Sequence, residues 1–471
     1  MTAFLNRLGR MTAHVTAHVT APVTAHVTAL GAALLLAVQP AAAQSVLRDA
    51  ETEALLQDLV DPLAEAAGLG EGSVEVVLLS DSSINAFVAG GQRIYVHAGL
   101  IEAADDVNEV EGVLAHELGH ITGGHIIRYS EGAGNATKIT LLSALAGVAA
   151  ALAGGGEAAM AALMLGQQAA MGNFLAFTRT QEASADAAGA EYLSEAGLSG
   201  KGSLTFFGKL QNLEFRHGYS QSKDAEFSRT HPLSGTRIAR LREDYQADPA
   251  WNNSSEPAKQ ARFERIKAKL FGYQATPGRT LAAFPKYMTG APARYARAYA
   301  YHKDALIEDA LDEADALLAV EPDDPYFLEL KGQILLESGR PAEALDPLRR
   351  ATRLSGSNPL ISSMFGHALL ATEDRSHLDE AEQVLRASVA RDRENPFAWY
   401  QLGVVYAQRG DIPRAQLASA EQQIMSSRPR EALRNAQAAQ QALPTGTPDW
   451  IRAQDVTLQA RAQLEREDRR D

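Results

Sequence analysis

The chain of 471 residues contains no cysteine. That absence excludes a thiol nucleophile, thiolate zinc ligands and a disulfide framework. It also suits an oxidising compartment, where stray thiols are a liability. A strongly basic tract is missing as well, and the formal net charge is -14, so no nucleic acid is expected as a partner. The apolar core near the N-terminus, Leu30 to Val38, is too short to span a bilayer comfortably. Arg7 and Arg10 precede it and Ala41-Ala42-Ala43 follows it, which predicts a secretory signal peptide over 1–43, cleaved near Ala43 before Gln44. An uncleaved anchor is the alternative. Thr-Ala-His-Val recurs inside this segment at Thr12–Val15, Thr16–Val19 and Thr24–Val27, with a proline variant at Thr20–Val23. It reads as a repeat expansion in a removed segment rather than a metal-binding tract.

What the chain does contain is one His-Glu-x-x-His, at His116-Glu117-Leu118-Gly119-His120. On a helix, residues four apart share a face. His116 and His120 can therefore reach one zinc ion, with Glu117 beside it as a general base. The flanks Val113-Leu114-Ala115 and Ile121-Thr122 are uncharged, which suits a buried helix. Asp105 and Asp106 are expected as N-cap and first-turn acids, and Gly123-Gly124 as the stop.

Zinc then needs a third protein ligand and an open position for water. A downstream histidine in the pattern HExxHxxGxxH would fall at position 126, which is Ile126; His125 is off by one and reads as an ordinary helix-end histidine. Glu182 and Asp186 lie four apart in a stretch of small residues, Arg179 to Gly189. Glu182 could ligate, and Asp186 could hold a ligand histidine by hydrogen bond. The spacing alone equally fits a solvated acidic face. By its neighbours alone, His231 before Pro232 reads as a capping or loop histidine.

Around the motif, Val46 to Ala67 is expected as a helix, with Leu47, Leu55, Leu56 and Leu59 at helical spacing. Val74 to Leu79 reads as a strand, Asp81-Ser82-Ser83 as a turn, and Arg93 to Val96 as a second strand after Gly90-Gly91. Ile139 to Gly156 and Ala158 to Gly166 are Ala/Gly-rich and nearly uncharged. They are expected as two buried or membrane-facing helices near the site, with a membrane hairpin as the alternative. Phe174 to Leu193 is a further helix. Tyr245 to Pro257 is a polar loop, and Pro277 to Pro292 marks a domain boundary.

Beyond it the chain repeats. Asp324-Pro325, Asn358-Pro359 and Asn395-Pro396 recur, each followed by a glycine (Gly332, Gly366, Gly403) and preceded by an alanine (Ala310, Ala344, Ala381) at fixed offsets. This helix–turn–helix period resembles tetratricopeptide repeats. Glu431-Ala432-Leu433 and Pro448 suggest a further, irregular unit.

Asn85-Ala86-Phe87, HELGH, Arg179-x-x-Glu182-x-x-x-Asp186-x-x-Gly189 and Thr230-His231-Pro232-Leu233 with Arg237 occur in order. This set resembles zinc metallopeptidase family forty-eight, the family of HtpX and the CAAX prenyl protease. The resemblance runs from Ser73 to Arg240 by motif. It implies that His116, His120 and Glu182 hold one Zn2+ per chain, that Glu117 is the catalytic base and that Asp186 supports a ligand histidine. His231 matches a histidine that in related enzymes helps stabilise the oxyanion, and that in members with repeats can occupy the fourth zinc position and suppress activity. Arg93, Ile94, Tyr95 and Val96 match the edge strand that pairs with an extended substrate. The chain departs at Ser234-Gly235, where a second proline and an acid are common, and this puts the switch geometry in doubt.

The expected fold is mainly α: an α+β zincin-like metalloprotease domain with a small β-sheet over 44–275, a linker over 276–296, and an α-helical tetratricopeptide-repeat solenoid over 297–471. The expected function is that of a periplasmic zinc endopeptidase with chaperone activity in quality control of outer-membrane proteins. Its partners would be unfolded or misassembled proteins and, through the repeats, the β-barrel assembly machinery, with peripheral membrane contact through 139–171. A latent repeat-domain chaperone or adaptor and an integral membrane protease are the alternatives.

Overall fold

The computed structural model describes residues 46–152, 156–217, 231 and 235–469. The segment 1–43 expected as a signal peptide, with its histidine repeats, and Thr230, Pro232, Leu233 and Ser234 lie outside the described residues. From Val46 onward the chain forms one compact unit.

Helix α1 spans Ala50–Ala66, shorter than expected at its start, because Asp49 caps it by accepting from the Thr52 amide. Val46 instead bridges Leu79, and the Leu47 amide bonds to Leu78. The strands are β1 (Glu75–Leu79), β2 (Ala86–Val88) and β3 (Arg93–His97). β1 pairs parallel and β2 antiparallel with β3, giving the order β1-β3-β2. This corrects one expectation. Arg93, Ile94, Tyr95 and Val96 form the central strand, with both hydrogen-bonding edges used, and not an edge strand. The hairpin bringing β2 alongside turns through Gly90 and Gly91, both at positive φ. Among the described residues, the strand with a free outer edge on that side is β2.

Helix α2 (Ala98–Ala103) leads into α3 (Val107–Thr122), which carries the histidine motif. Asp106 caps α3, the first-turn acid is Glu109, and Gly123 ends it. Every side chain from Val107 to His120 is buried. The helix is not free of charge: buried Glu109 pairs with Lys209 and buried Glu111 with Lys259. Its apolar residues join those of α1 and the sheet in one core that includes Leu56, Leu59, Leu63, Val96, Leu114 and Leu118.

Helices α4 (His125–Leu152) and α5 (Gly156–Glu195) form a long pair, and α5 fuses the Ala158 and Phe174 segments into one helix. Of the two expected settings, buried or membrane-facing, burial is the one that does not hold for this pair. Leu141, Leu142, Leu145, Met160, Met164 and Leu165 are exposed, whereas Gly166 lies where a Cβ would overlap Ser143. The small residues thus let the two helices approach, and the large apolar ones face outward. No helix among the described residues is long and apolar enough to cross a membrane. Helices α6 (Lys201–His217), α7 (Gly235–Ala247) and α8 (Pro257–Gln274) complete the first half, with a short 3-10 turn at Pro249–Asn252 in the expected polar loop.

The stretch expected as a linker is largely helical: α9 (Pro277–Ala283) and the first turns of α10 (Ala291–Lys303) occupy it. Then follow α11 (Ile307–Val320), α12 (Pro325–Glu337), α13 (Pro341–Leu354), α14 (Pro359–Ala371), α15 (Leu378–Arg391), α16 (Pro396–Arg409), α17 (Ile412–Met425), α18 (Pro429–Ala442) and α19 (Pro448–Glu467). The repeated Asp/Asn-Pro is an N-cap followed by proline at the first helical position. Asp324, Asn358 and Asn395 each accept amides of the helix they begin. A Cβ on Gly332 or Gly366 would overlap Leu348 or Leu385 of the paired helix, while Gly403 has more room beside Ala418. Ala310, Ala344 and Ala381 are fully buried at the matching positions.

The repeats pack onto the first half. Ala50 shares a small core with Leu328, Ala351 and Ile361. Buried Glu51 receives Arg265, Lys269 and the Tyr295 hydroxyl, and Arg265 also binds Asp324. Arg48 reaches Asp392 and Arg93 reaches Glu394.

Candidate metal centre

Two helix crossings place the site. Gly119, inside the histidine motif, meets Ala185 of α5: an added Cβ would sit 2.6 Å from the Ala185 carbonyl oxygen. One turn away, a Cβ on Gly189 would lie 3.0 Å from the Ala115 carbonyl. This close approach holds Glu182 and Asp186 against His116. On the other side, Gly112 and Gly202 let α3 and α6 approach closely, and the Phe207 ring packs edge-on to His116.

The described residues His116, His120, Glu182 and His231 each offer a ligand atom, and these atoms all lie within 4.8 Å of one another. His116 Nε2 is 3.2 Å from His120 Nε2 and 3.3 Å from His231 Nδ1. The Glu182 carboxylate is 3.4 Å from both motif histidines and 3.2 Å from His231 Nδ1. All four side chains are buried or nearly so. Two imidazoles and a carboxylate form one of the donor sets that zinc takes in catalytic sites, with a fourth position left for water or substrate.

Surrounding groups orient the donors. His116 Nδ1 lies 3.1 Å from Asp186 Oδ1, off the line of a good hydrogen bond. Arg237 of α7 holds Asp186 with two bonds of 2.7 Å and also reaches Glu182 at 3.0 Å. His120 Nδ1 is 2.9 Å from His125 Nδ1. His120 Nδ1 thus has a partner and His116 Nδ1 lies against the Asp186 carboxylate, while both Nε2 atoms face the centre. The close-contact role of His125 was missed in the sequence, where its register served only to exclude it as a ligand. Arg237 stood in the family pattern without a role.

Glu117 is fully buried, and no hydrogen bond reaches either carboxylate oxygen. His231 Nε2 stands 3.5 Å from it. Burial raises the Glu117 carboxyl above its ordinary range, against the charges of His231 and His116. Burial would raise Glu182 too, but His116 and His231 hold it well below the usual carboxylate range. Asp186 also stays low: burial is outweighed by Arg237 and then His116. Burial and the neighbouring His116 and His231 keep His120 neutral, with one ring nitrogen's lone pair available. Against burial, Asp186 and Glu182 raise the His116 imidazole to about 10, so a cation bound there would displace its proton. Ionised Glu182 and neutral His120 fit a divalent cation, with buried Glu117 beside them as a proton acceptor.

Residues 50–244 match the family model described as peptidase family M48. The beta-barrel assembly-enhancing protease of Escherichia coli (strain K12) is 26% identical over 366 residues, 76% of this chain and 72% of that protein. Metalloprotease LoiP of the same strain is 32% identical over 168 residues, 35% of this chain and 60% of that protein. Among solved structures, YrrB, a TPR protein with an unusual peptide-binding site, aligns with a TM-score of 0.31 and 23% identity over 38% of this chain and 94% of that one. The repeat organisation rests on the helix pairs described above rather than on that alignment.

Proposed function

From the premise that residues 50–244 are a zinc metallopeptidase domain of family M48, we propose that this chain is a periplasmic endopeptidase acting on unfolded or misassembled outer-membrane proteins, with its repeats selecting them. The observation that carries the chemistry is the buried set His116, His120 and Glu182 beside Glu117, whose buried carboxylate accepts no hydrogen bond. His116, His120 and Glu182 would hold the zinc. When bound, zinc lowers the pKa of water and polarises a peptide carbonyl. Glu117 takes the proton from the attacking water and returns it to the leaving amide nitrogen. Its raised carboxyl suits a group that must hold a proton between those two events. Asp186 and Arg237 keep the His116 ring oriented. His231, close to the donors and to Glu117, stands where it can fill the fourth position and keep the enzyme latent.

An extended substrate would pair with the free edge of β2, Ala86–Val88, rather than with β3. The likeness to the beta-barrel assembly-enhancing protease supports clients of the outer membrane and contact with their assembly machinery. The outward leucines and methionines of α4 and α5 support peripheral contact of 139–171 with a membrane. Chaperone activity would come from the concave repeat surface.

The test compares the wild type with Glu117→Gln. Zinc content and fold are expected to persist while cleavage of a disordered protein falls by about 10²–10⁴-fold. Undiminished cleavage would overturn the assignment.

A further inference from the structure

The inner helices of the first repeats (α10, α12, α14 and the start of α16) face a cavity of about 560 Å3. Its opposite wall is built from residues 47–50 and from Lys269, Leu270 and Tyr273 of α8. The volume falls in the range of about 300–1,000 Å3 usual for ligand sites. Much of the wall is apolar or aromatic, with Leu336, Met364, Tyr299 and Phe397 among its members. Deep in this wall lies Glu329 of α12. It is 8% exposed, and its Oε2 has no hydrogen-bond partner. An unpaired acid in such a setting is costly and calls for a counter-charge.

The surrounding pairs indicate which counter-charge. Lys269 is taken by Asp49 and Glu51, and Arg48 by Glu53 and Asp392. Neither base is left over for Glu329. The repeats meet basic side chains with acids elsewhere too: Asp324 binds Arg265 and Glu394 binds Arg93. Arg48 is itself a cation on a non-helical segment that an acid of the repeats holds, at 2.9 Å. Glu329 lies in the same groove with that role unfilled. Burial raises its carboxyl to about 8, with Lys269 opposing and Asp49, Glu51 and Glu53 adding to the rise; an entering cation would relieve this.

We infer that this cavity binds a lysine or arginine side chain carried on an extended polypeptide, with Glu329 as its counter-ion. The lining crosses the first helices of four successive helix pairs, a shape suited to an extended chain. The apolar part of the wall, with Leu336 and Met364, takes the aliphatic stem, and Tyr273, Tyr299 and Phe397 add aromatic surface to the lining. The inference deepens the proposed function, on which it rests for the occupant being a client polypeptide.

The experiment uses the full chain carrying Glu117→Gln, so that nothing is cleaved. A short labelled peptide with one central arginine is titrated by fluorescence anisotropy beside its citrulline counterpart, which keeps the shape and loses the charge. The arginine peptide is expected to bind about tenfold tighter, equivalent to about 1.4 kcal/mol. Adding Glu329→Gln should bring the two affinities together. That substitution removes an unpaired buried acid, so the fold is expected to survive, and thermal unfolding checks this. Equal binding of both peptides before the substitution overturns the inference, as does an arginine preference that persists after it. Neither outcome depends on whether the wild type cleaves, so a failure here is separable from a failure of the protease reading.

Discussion

Arg237 holds Asp186 through two bonds of 2.7 Å, and Asp186 in turn lies 3.1 Å from the Nδ1 of His116. A residue on α7 therefore sets the ring of a residue on α3 through a carboxylate on α5. Loss of such support typically weakens a metal site about 10–100-fold. Arg237→Ala is expected to lower zinc affinity by that order, measured by competition with a chromogenic chelator. Arg237→Lys should recover only part of it, because a single ammonium cannot reproduce the paired fork. Unchanged affinity would mean that the Arg237–Asp186 pair serves packing alone.

His231 touches the donor set on one side and approaches Glu117 on the other. If it keeps the fourth position filled, His231→Ala raises basal cleavage of a disordered protein by up to about tenfold, the effect of releasing about 1.4 kcal/mol of competition. Zinc should stay at one ion per chain. A fall in rate with zinc intact would instead assign His231 to stabilising the oxyanion.

Gly119 is the point where α3 and α5 touch. Alanine there would gain about 1 kcal/mol in helix propensity, but its Cβ would lie 2.6 Å from a backbone oxygen, and backbone cannot rotate away. The overlap wins. Gly119→Val should cost about 1–3 kcal/mol or more, read as a lower melting temperature, and should weaken zinc binding by moving Glu182 away from His116.

Glu329 gives a pH signature to stability. Its carboxyl is raised in the folded state from 4.5 to about 8. In the unfolded chain it ionises near 4.5, while in the folded chain it keeps its proton. The wild type therefore loses stability as pH rises from 4.5 toward 8, and the loss then levels off. The groups facing it are Arg48, Asp49, Glu51 and Glu53 from the N-terminal segment, Lys269 from α8, Tyr299 from α10, Glu337 from its own helix and His367 from α14. Glu329→Gln should melt at a higher temperature than the wild type at pH 8, with the difference shrinking toward pH 5. Calorimetry across that interval measures it, and a constant difference would contradict the buried acid.

Local signals made much of this molecule legible before its structure. The cap at Asp106 bounds the start of α3, and Asp/Asn-Pro marks the starts of α12, α14 and α16, because each is a side-chain to backbone bond within a few residues. What could not be read depends on pairing across distance. Arg93 to Val96 has the composition of a strand, but whether it lies at an edge is decided by Ala86–Val88 folding back beside it. Nearly charge-free sequence at α4 and α5 fits burial and a membrane-facing surface alike; burial needs a partner surface, and the small Gly166 and Ser143 join only the two helices to each other. His125 was excluded by register as a ligand, and register says nothing of which nitrogen a neighbouring ring needs held.

The junction through Glu51 has a consequence for how such chains can be rearranged. Its carboxylate is shared by Arg265 and Lys269 of one half and Tyr295 of the other, and Arg265 continues to Asp324. The repeats are therefore not an interchangeable cassette. A recombinant that replaced them from residue 297 onward would have to bring acids matching Asp324 and Asp392, or leave Arg265 and Arg48 with Glu51 and Glu53 alone and the joint without its cross-ties.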